Sequence, residues 1–364
     1  MLIHFLILLI VIIINLVPKN EVWRKEKALP VSFAIITGFL AIRYNYGTDY
    51  LSYYDIFYYN ANYSEVTNYE WIFWKIFFSF HKFYQFVIFH TLAICGTLFY
   101  FVRKYVPPKY YALFFLLFLT NVGMVYNMIA AMRSGLAACA FLWSTELFLL
   151  RRKNLLLYAI SIYFCSAIHQ SAILLELLIP FLIIFKKGEV NSFRMMLLFI
   201  FCIISSYFVT DWFAGLFETG AEMIEGVDKV TRYIEEGRLK SASIGIALLN
   251  AMYIPLAFYL VKTSRNVGKQ MGYIYNVSLF YFFIRFIGLD FQSRYSVIMM
   301  SLAVVALCDL MQRSQTRTRI IVLVPLLLSS FYSTYFMYST LLSDPTIQGN
   351  FIFYQTIFSL PQFP

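Results

Sequence analysis

Apolar runs of roughly 15 to 23 residues recur along the whole of this chain, separated by short basic segments, and such runs are the length a helix needs to cross a bilayer. The runs show no period-two alternation, which excludes barrel strands. Only 13% of the 364 residues are charged, against about a quarter in soluble domains, so there is too little polar side chain to clothe a water-soluble fold. The sequence predicts an all-α polytopic membrane protein whose residues 1–364 form a single transmembrane domain.

The runs place about twelve spans, near 1–17, 28–42, 85–102, 110–126, 128–150, 154–168, 171–185, 194–211, 243–261, 271–289, 295–311 and 319–341. The first run lacks a basic leader and a small-residue cleavage site, so it is read as an uncleaved span with its N-terminus outside. The implied inner loops carry Lys19/Arg24/Lys25/Lys27, Arg103/Lys104/Lys109, Arg151/Arg152/Lys153, Lys186/Lys187/Arg194, Lys262/Arg265/Lys269 and Arg313/Arg317/Arg319. That is 19 of the 29 basic residues with four acids (Glu21, Glu26, Glu189, Asp309), the asymmetry expected of cytoplasmic loops. The net charge of +10 is therefore topological and implies no nucleic-acid partner. Cys95, Cys139, Cys165, Cys202 and Cys308 each sit inside an apolar run without CxxC pairing, and read as buried small hydrophobes.

Two outer segments are long. Residues 43–84 open on Arg43-Tyr-Asn-Tyr-Gly-Thr-Asp49-Tyr-Leu-Ser-Tyr53-Tyr-Asp55 and continue into an aromatic segment from Glu70 to Tyr84, expected to lie as a helix in the interface. Residues 212–242 form a charged outer loop with helical charge spacing. The apolar end, Phe351 to Phe363, is expected to pack on the outer face.

Loop topology leaves a small set of charges unexplained: Arg43, Asp49, Asp55, Arg133, Glu146, His169, Glu176, Arg285, Asp290 and Arg294. A charge within a span costs on the order of 2.5–3.5 kcal/mol, so each needs a partner or a water-filled cavity. The topology puts Arg43, Arg133, His169, Arg285 and Arg294 at one depth, near the outer leaflet. The four cations among them are all arginine, whose planar fork grips phosphate and stays charged when partly buried. Arginines also snorkel to headgroups at helix ends, and that reading stays open. Arg133, Arg294 and Arg285, with Arg43 assisting, are candidates to hold a lipid-linked pyrophosphate. His169, beside Gln170 and Ser171, is the leading candidate base, and Asp49 the second. Tyr46, Tyr50, Tyr53 and Asp55 are candidates for sugar contacts, although an aromatic belt explains many tyrosines here. Glu146 reads as an ion-pair partner of the inner Arg151 cluster, and Glu176 as a hydrogen-bonding partner within the bundle. No metal or cofactor is expected: there is no Walker loop, GxGxxG, HExxH or outer DxD pair.

Four ordered segments resemble the EpsG family of polysaccharide-assembly proteins. Arg43-Tyr-Asn-Tyr-Gly-Thr-Asp49-Tyr is similar to its Arg…Gly-x-Asp-Tyr…Tyr signature. Met132-Arg133-Ser134-Gly135 resembles its arginine segment, with Ser where the family usually has Gln. Ile168-His169-Gln170-Ser171-Ala172 resembles its His-x-Ser-Ala segment, and Ser293-Arg294-Tyr295-Ser296 its Arg-Tyr segment. The resemblance implies a Wzy-like polymerase of GT-C-like fold in the bacterial cytoplasmic membrane. Its substrate would be an undecaprenyl-pyrophosphate-linked oligosaccharide, joined into O-antigen, capsule or exopolysaccharide on the face towards the periplasm or exterior. Membrane lipid, a chain-length regulator and a flippase are the implied partners. A transporter of a lipid-linked or anionic solute, a ligase and an acyltransferase using His169 remain the alternatives.

Overall fold

A computed structural model describes residues 2–17, 20–47, 49–59, 70–120, 131–184, 195–202, 251–264, 266–287, 292–343 and 355–356. Among these the chain is almost wholly helical. Helix α1 (Leu2–Leu16) is followed by a helical turn Glu21–Trp23, a π-turn Arg24–Ala28 and α2 (Leu29–Ala41). The segment 43–84 contributes α3 (Tyr50–Tyr59) and α4 (Trp71–Phe77). Then come α5 (Phe83–Tyr105), α6 (Tyr111–Thr120), α7 (Met132–Ser144), α8 (Leu155–Ser166) and α9 (Leu178–Ile184). Helices α10 (Ile254–Ser264), α11 (Lys269–Ile287), α12 (Gln292–Arg313) and α13 (Thr316–Ser343) complete the bundle.

Only α5 among the described residues is both long and apolar enough to cross a membrane alone; Leu6–Leu16, Pro108–Thr120 and Leu155–Ser166 are apolar but shorter. Two expected spans are not single α-helices. The fifth runs from α7 into a π-helical stretch, Thr145–Arg151, and the seventh begins as a 3-10 helix, Gln170–Leu177, before α9. Eight residues is long for a 3-10 helix, whose tighter hydrogen bonds are poorly aligned, so other contacts must hold this one. The aromatic segment is also shorter than its sequence pattern indicates. It ends at Phe77, buries Phe73, Trp74 and Phe77 in the protein, and leaves Trp71 and Lys75 outside, while Phe83 and Tyr84 already belong to α5. The charged loop 212–242 lies outside the described residues.

Side-chain contacts sort the loops onto two ends of the bundle. Arg103 at the end of α5 pairs with Glu26 at 2.9 Å. Lys104 and Arg151 both reach Glu146. Gln270 donates to the Leu150 carbonyl at 3.5 Å, and Tyr110 to that of Met311 at 2.8 Å. Five of the basic loops expected on one side thus meet at one end; loop 186–194 lies outside the described residues. Glu146 accepts at 2.6 Å from both Tyr105 Oη and Arg151 Nε, as an ion-pair partner should. At 1.5 Å per residue the 23 residues of α5 put the other end about 34 Å away.

Helices α5 and α7 run in the same direction. His90 Nε2 donates to the Met132 carbonyl at 3.1 Å, Trp143 Nε1 to Thr97 at 3.1 Å, and Glu146 faces Tyr100. Gly135 permits the approach: a Cβ there would lie 2.8 Å from Ile94 Cδ1 and 2.9 Å from His90 Nε2. Helix α12 returns antiparallel to α11, with Tyr275 Oη donating to Asp309 at 2.9 Å. The meeting point of α11 and α12 therefore lies at the far end from Asp309 and Arg313. All five cysteines are free and buried.

Candidate functional site

The opening motif folds as a buried turn. Asn45 (φ 45°) and Gly47 (φ 118°) reverse the chain, and at the latter angle only glycine is comfortable. Arg43 and Tyr44 pair antiparallel with Thr356 and Gln355, which draws part of the apolar end against this turn. The Arg43 side chain is buried, its Nη1 donating to the Leu40 carbonyl at 2.8 Å and to Thr91 at 3.1 Å. It lines an apolar cavity with Phe33, Ile36, Phe118 and neighbours, not an open surface. Arg43 is thus corrected from a phosphate ligand to a tie between α2 and α5. Tyr46 packs edge-on against Phe39 and Tyr50 against Phe83, both buried. Neither presents a ring to a sugar, because the aromatic rings of this segment supply their own core. Asp49 and Asp55 are exposed.

The site forms where Tyr53, Glu70, Arg133 and His169 converge. Glu70 precedes α4 with φ −114° and ψ 42°, and its carbonyl accepts from Trp74 N–H at 3.2 Å. Ile72 N–H donates to the Ala167 carbonyl at 3.1 Å, pinning α4 to the end of α8. Beyond that end His169 is extended (φ −148°, ψ 116°), which aims its ring back at α4. Nδ1 of His169 lies 2.8 Å from Glu70 Oε1, and Gln170 N–H donates to the same oxygen at 2.9 Å. These two bonds fix the start of the 3-10 helix.

Arg133 enters from the first turn of α7. Its Nη1 donates to Glu70 Oε2 and its Nε to Tyr53 Oη at 3.1 Å. The guanidinium also lies 5.9 Å from the Tyr53 ring centre and 6.0 Å from that of Trp74. Glu70 and His169 side chains are each only 7% exposed, whereas Arg133 is 32% exposed. Nη2 takes no part in these bonds, so Arg133 keeps one edge of its fork towards solvent.

Burial opposes ionisation of Glu70. The His169 hydrogen bond and the Arg133 charge outweigh it and hold the carboxyl down to about 2, so Glu70 is an anion at neutral pH. An ionised carboxylate only accepts, so His169 must donate through Nδ1–H, and Nε2 is the nitrogen at which the ring can gain or lose a proton. Burial pushes the Tyr53 phenol up, so it stays a neutral hydroxyl that accepts from Arg133.

The structure therefore brings together Arg133, His169 and Tyr53, and separates them from Arg43, Tyr46 and Tyr50. Arg285 lies on α11 and Arg294 on α12, at the same end of the bundle; their side chains fall outside the described residues. Sequence reading passed over Glu70, which is just one acid ahead of an aromatic helix. Its signal was an acid directly before Trp71 and a buried aromatic face, where a solvated carboxylate has no reason to be.

The sequence profile of the EpsG family matches residues 27–356. No curated protein matches the chain, and no solved structure does.

Proposed function

The chain belongs to the EpsG family, polymerase-type membrane proteins of polysaccharide biosynthesis, and on that premise we propose that it is a glycosyltransferase joining undecaprenyl-pyrophosphate-linked oligosaccharide repeats. The observation that carries this reading is the meeting of Arg133 and His169 on one carboxylate, with the arginine left partly exposed beside a buried imidazole. The bundle is a twelve-span, GT-C-like fold in the bacterial cytoplasmic membrane, and the site faces periplasm or exterior.

The chemistry needs two things from the protein. Nε2 of His169 takes the proton from a hydroxyl of the incoming repeat, and that oxygen bonds to the anomeric carbon of the growing chain. The bond from that carbon to the pyrophosphate oxygen breaks, and the lipid pyrophosphate leaves with the electron pair. Arg133 meets the charge that develops there, where a preformed donor in a partly dry site has its largest effect. Arg285 and Arg294 supply further positive charge from α11 and α12. Asp49, exposed just before α3, holds a sugar hydroxyl or serves as the second base, and Asp55 on α3 is exposed as well.

Purified protein in lipid vesicles, given a single lipid-linked repeat, tests the proposal. Chain growth from that substrate alone is expected. Transfer only after a different acceptor is added would make the protein a ligase, and uptake of the substrate without transfer would make it a transporter.

A further inference from the structure

We infer that Glu70 is the positioning residue of the site: it holds His169 in the Nδ1–H tautomer, with Nε2 free of a proton, and clamps the Arg133 fork so that its Nη2 edge faces the substrate. Four bonds converge on this network. Glu70 Oε1 accepts from His169 Nδ1–H at 2.8 Å and from Gln170 N–H at 2.9 Å; Oε2 accepts from Arg133 Nη1, and Arg133 Nε is held by Tyr53 at 3.1 Å. The carboxylate is buried while the arginine it grips is not, so it is a support beneath the site, not a group that meets the substrate.

A simple structural ion pair does not account for this arrangement. An arginine–carboxylate pair satisfies itself through two parallel bonds. Here the two oxygens are divided, one for the imidazole and one for the guanidinium, and the second bond of the fork is given to a tyrosine. That division fixes two side chains from elements far apart in the chain at one spacing. It also places a negative charge where it stabilises the imidazolium formed when His169 takes a proton. The charged groups that face His169 through this network are Glu70 and Arg133, with Tyr53 as the neutral third member. Orienting partners of this kind fix tautomer and ring direction of a histidine that does chemistry.

The kinetic part of the inference rests on the polymerase reading; the tautomer does not, and the two are separable. Protein labelled with 15N-histidine has four histidines, and the His169 signals are assigned by their loss in His169→Gln. The wild type is expected to show a protonated Nδ1 and an unprotonated Nε2 at His169 at neutral pH. Glu70→Gln keeps one acceptor oxygen but removes the charge. Its kcat for chain growth is expected to fall about 10- to 100-fold, a share of the roughly 10²–10⁴ that a general base contributes. The acid limb of its rate profile should move to lower pH, because the imidazolium has lost its counter-charge. Glu70→Asp should recover part of the rate. An Nε2–H tautomer in the wild type would overturn the inference. So would a Glu70→Gln enzyme with wild-type rate and pH profile. A wild type with the expected tautomer and no chain growth would sink the polymerase reading and leave the positioning role standing.

Discussion

Glu70 accepts a 2.8 Å hydrogen bond from His169 across 99 residues of chain, and through its other oxygen it holds Arg133. The contact should fail in acid. The carboxyl is held down to about 2 from an ordinary 4.5, so its stabilising effect is complete above about 4.5 and is lost as pH falls towards 2. Thermal unfolding of the detergent-solubilised protein should show wild type above Glu70→Gln at pH 7, with the two converging as the pH is lowered below 4.5. A gap that stays constant to pH 3 would show that folding does not lower the Glu70 pKa.

Arg133 should not tolerate replacement by another cation. Lysine keeps the charge but loses the fork that engages Tyr53 and Glu70 while presenting a further edge. Arg133→Ala should reduce chain growth by about 100-fold or more, in line with removal of a preformed donor from a transition-state site. Arg133→Lys should recover only part of it. Gel ladders of lipid-linked product, with single-repeat material accumulating, report the effect.

Two glycines should behave oppositely. Gly135 lets α7 approach α5, and a methyl there would lie 2.8 Å from Ile94 and 2.9 Å from His90. Gly135→Ala should cost about 1–3 kcal/mol through overpacking. Gly96, in the middle of α5 with nothing within 4 Å of its would-be Cβ, should accept alanine without loss or with a small gain. Melting temperatures of the two variants check this, and equal effects would mean that the helices are not so closely apposed.

Glu146 at the opposite end should matter for folding and not for chemistry. It is fully buried and accepts from Tyr100, Lys104, Tyr105 and Arg151. Breaking a buried pair costs about 3–5 kcal/mol; Lys104 and Arg151 are 32% and 49% exposed, so the loss here should fall below that range. Glu146→Gln should lower the melting temperature while each folded molecule keeps wild-type chain growth. A defect in rate at unchanged stability would place chemistry at the wrong end.

Much of this was readable from the order of residues. Long apolar runs and basic loops identify a membrane bundle, and the loops they predicted to share a side do meet, as Glu26–Arg103 and Tyr110–Met311 show. Arg133 and His169 stood out because a charge in an apolar run needs a reason. The tyrosines misled: their spacing in the opening motif is equally that of a surface belt and of the aromatic core they form with Phe39 and Phe83. Arg43 misled in the same way, since a cation at a helix mouth looks the same in sequence whether it faces a ligand or Thr91. Glu70 went unread because its importance comes from His169, which only folding brings near.

The most direct measurement is chain growth by His169→Ala beside the wild type, in vesicles supplied with one lipid-linked repeat, with binding of that repeat measured in parallel. The proposed roles predict that the wild type builds a ladder of products while the variant binds the repeat but does not extend it. Wild-type extension by a correctly folded His169→Ala protein would contradict them.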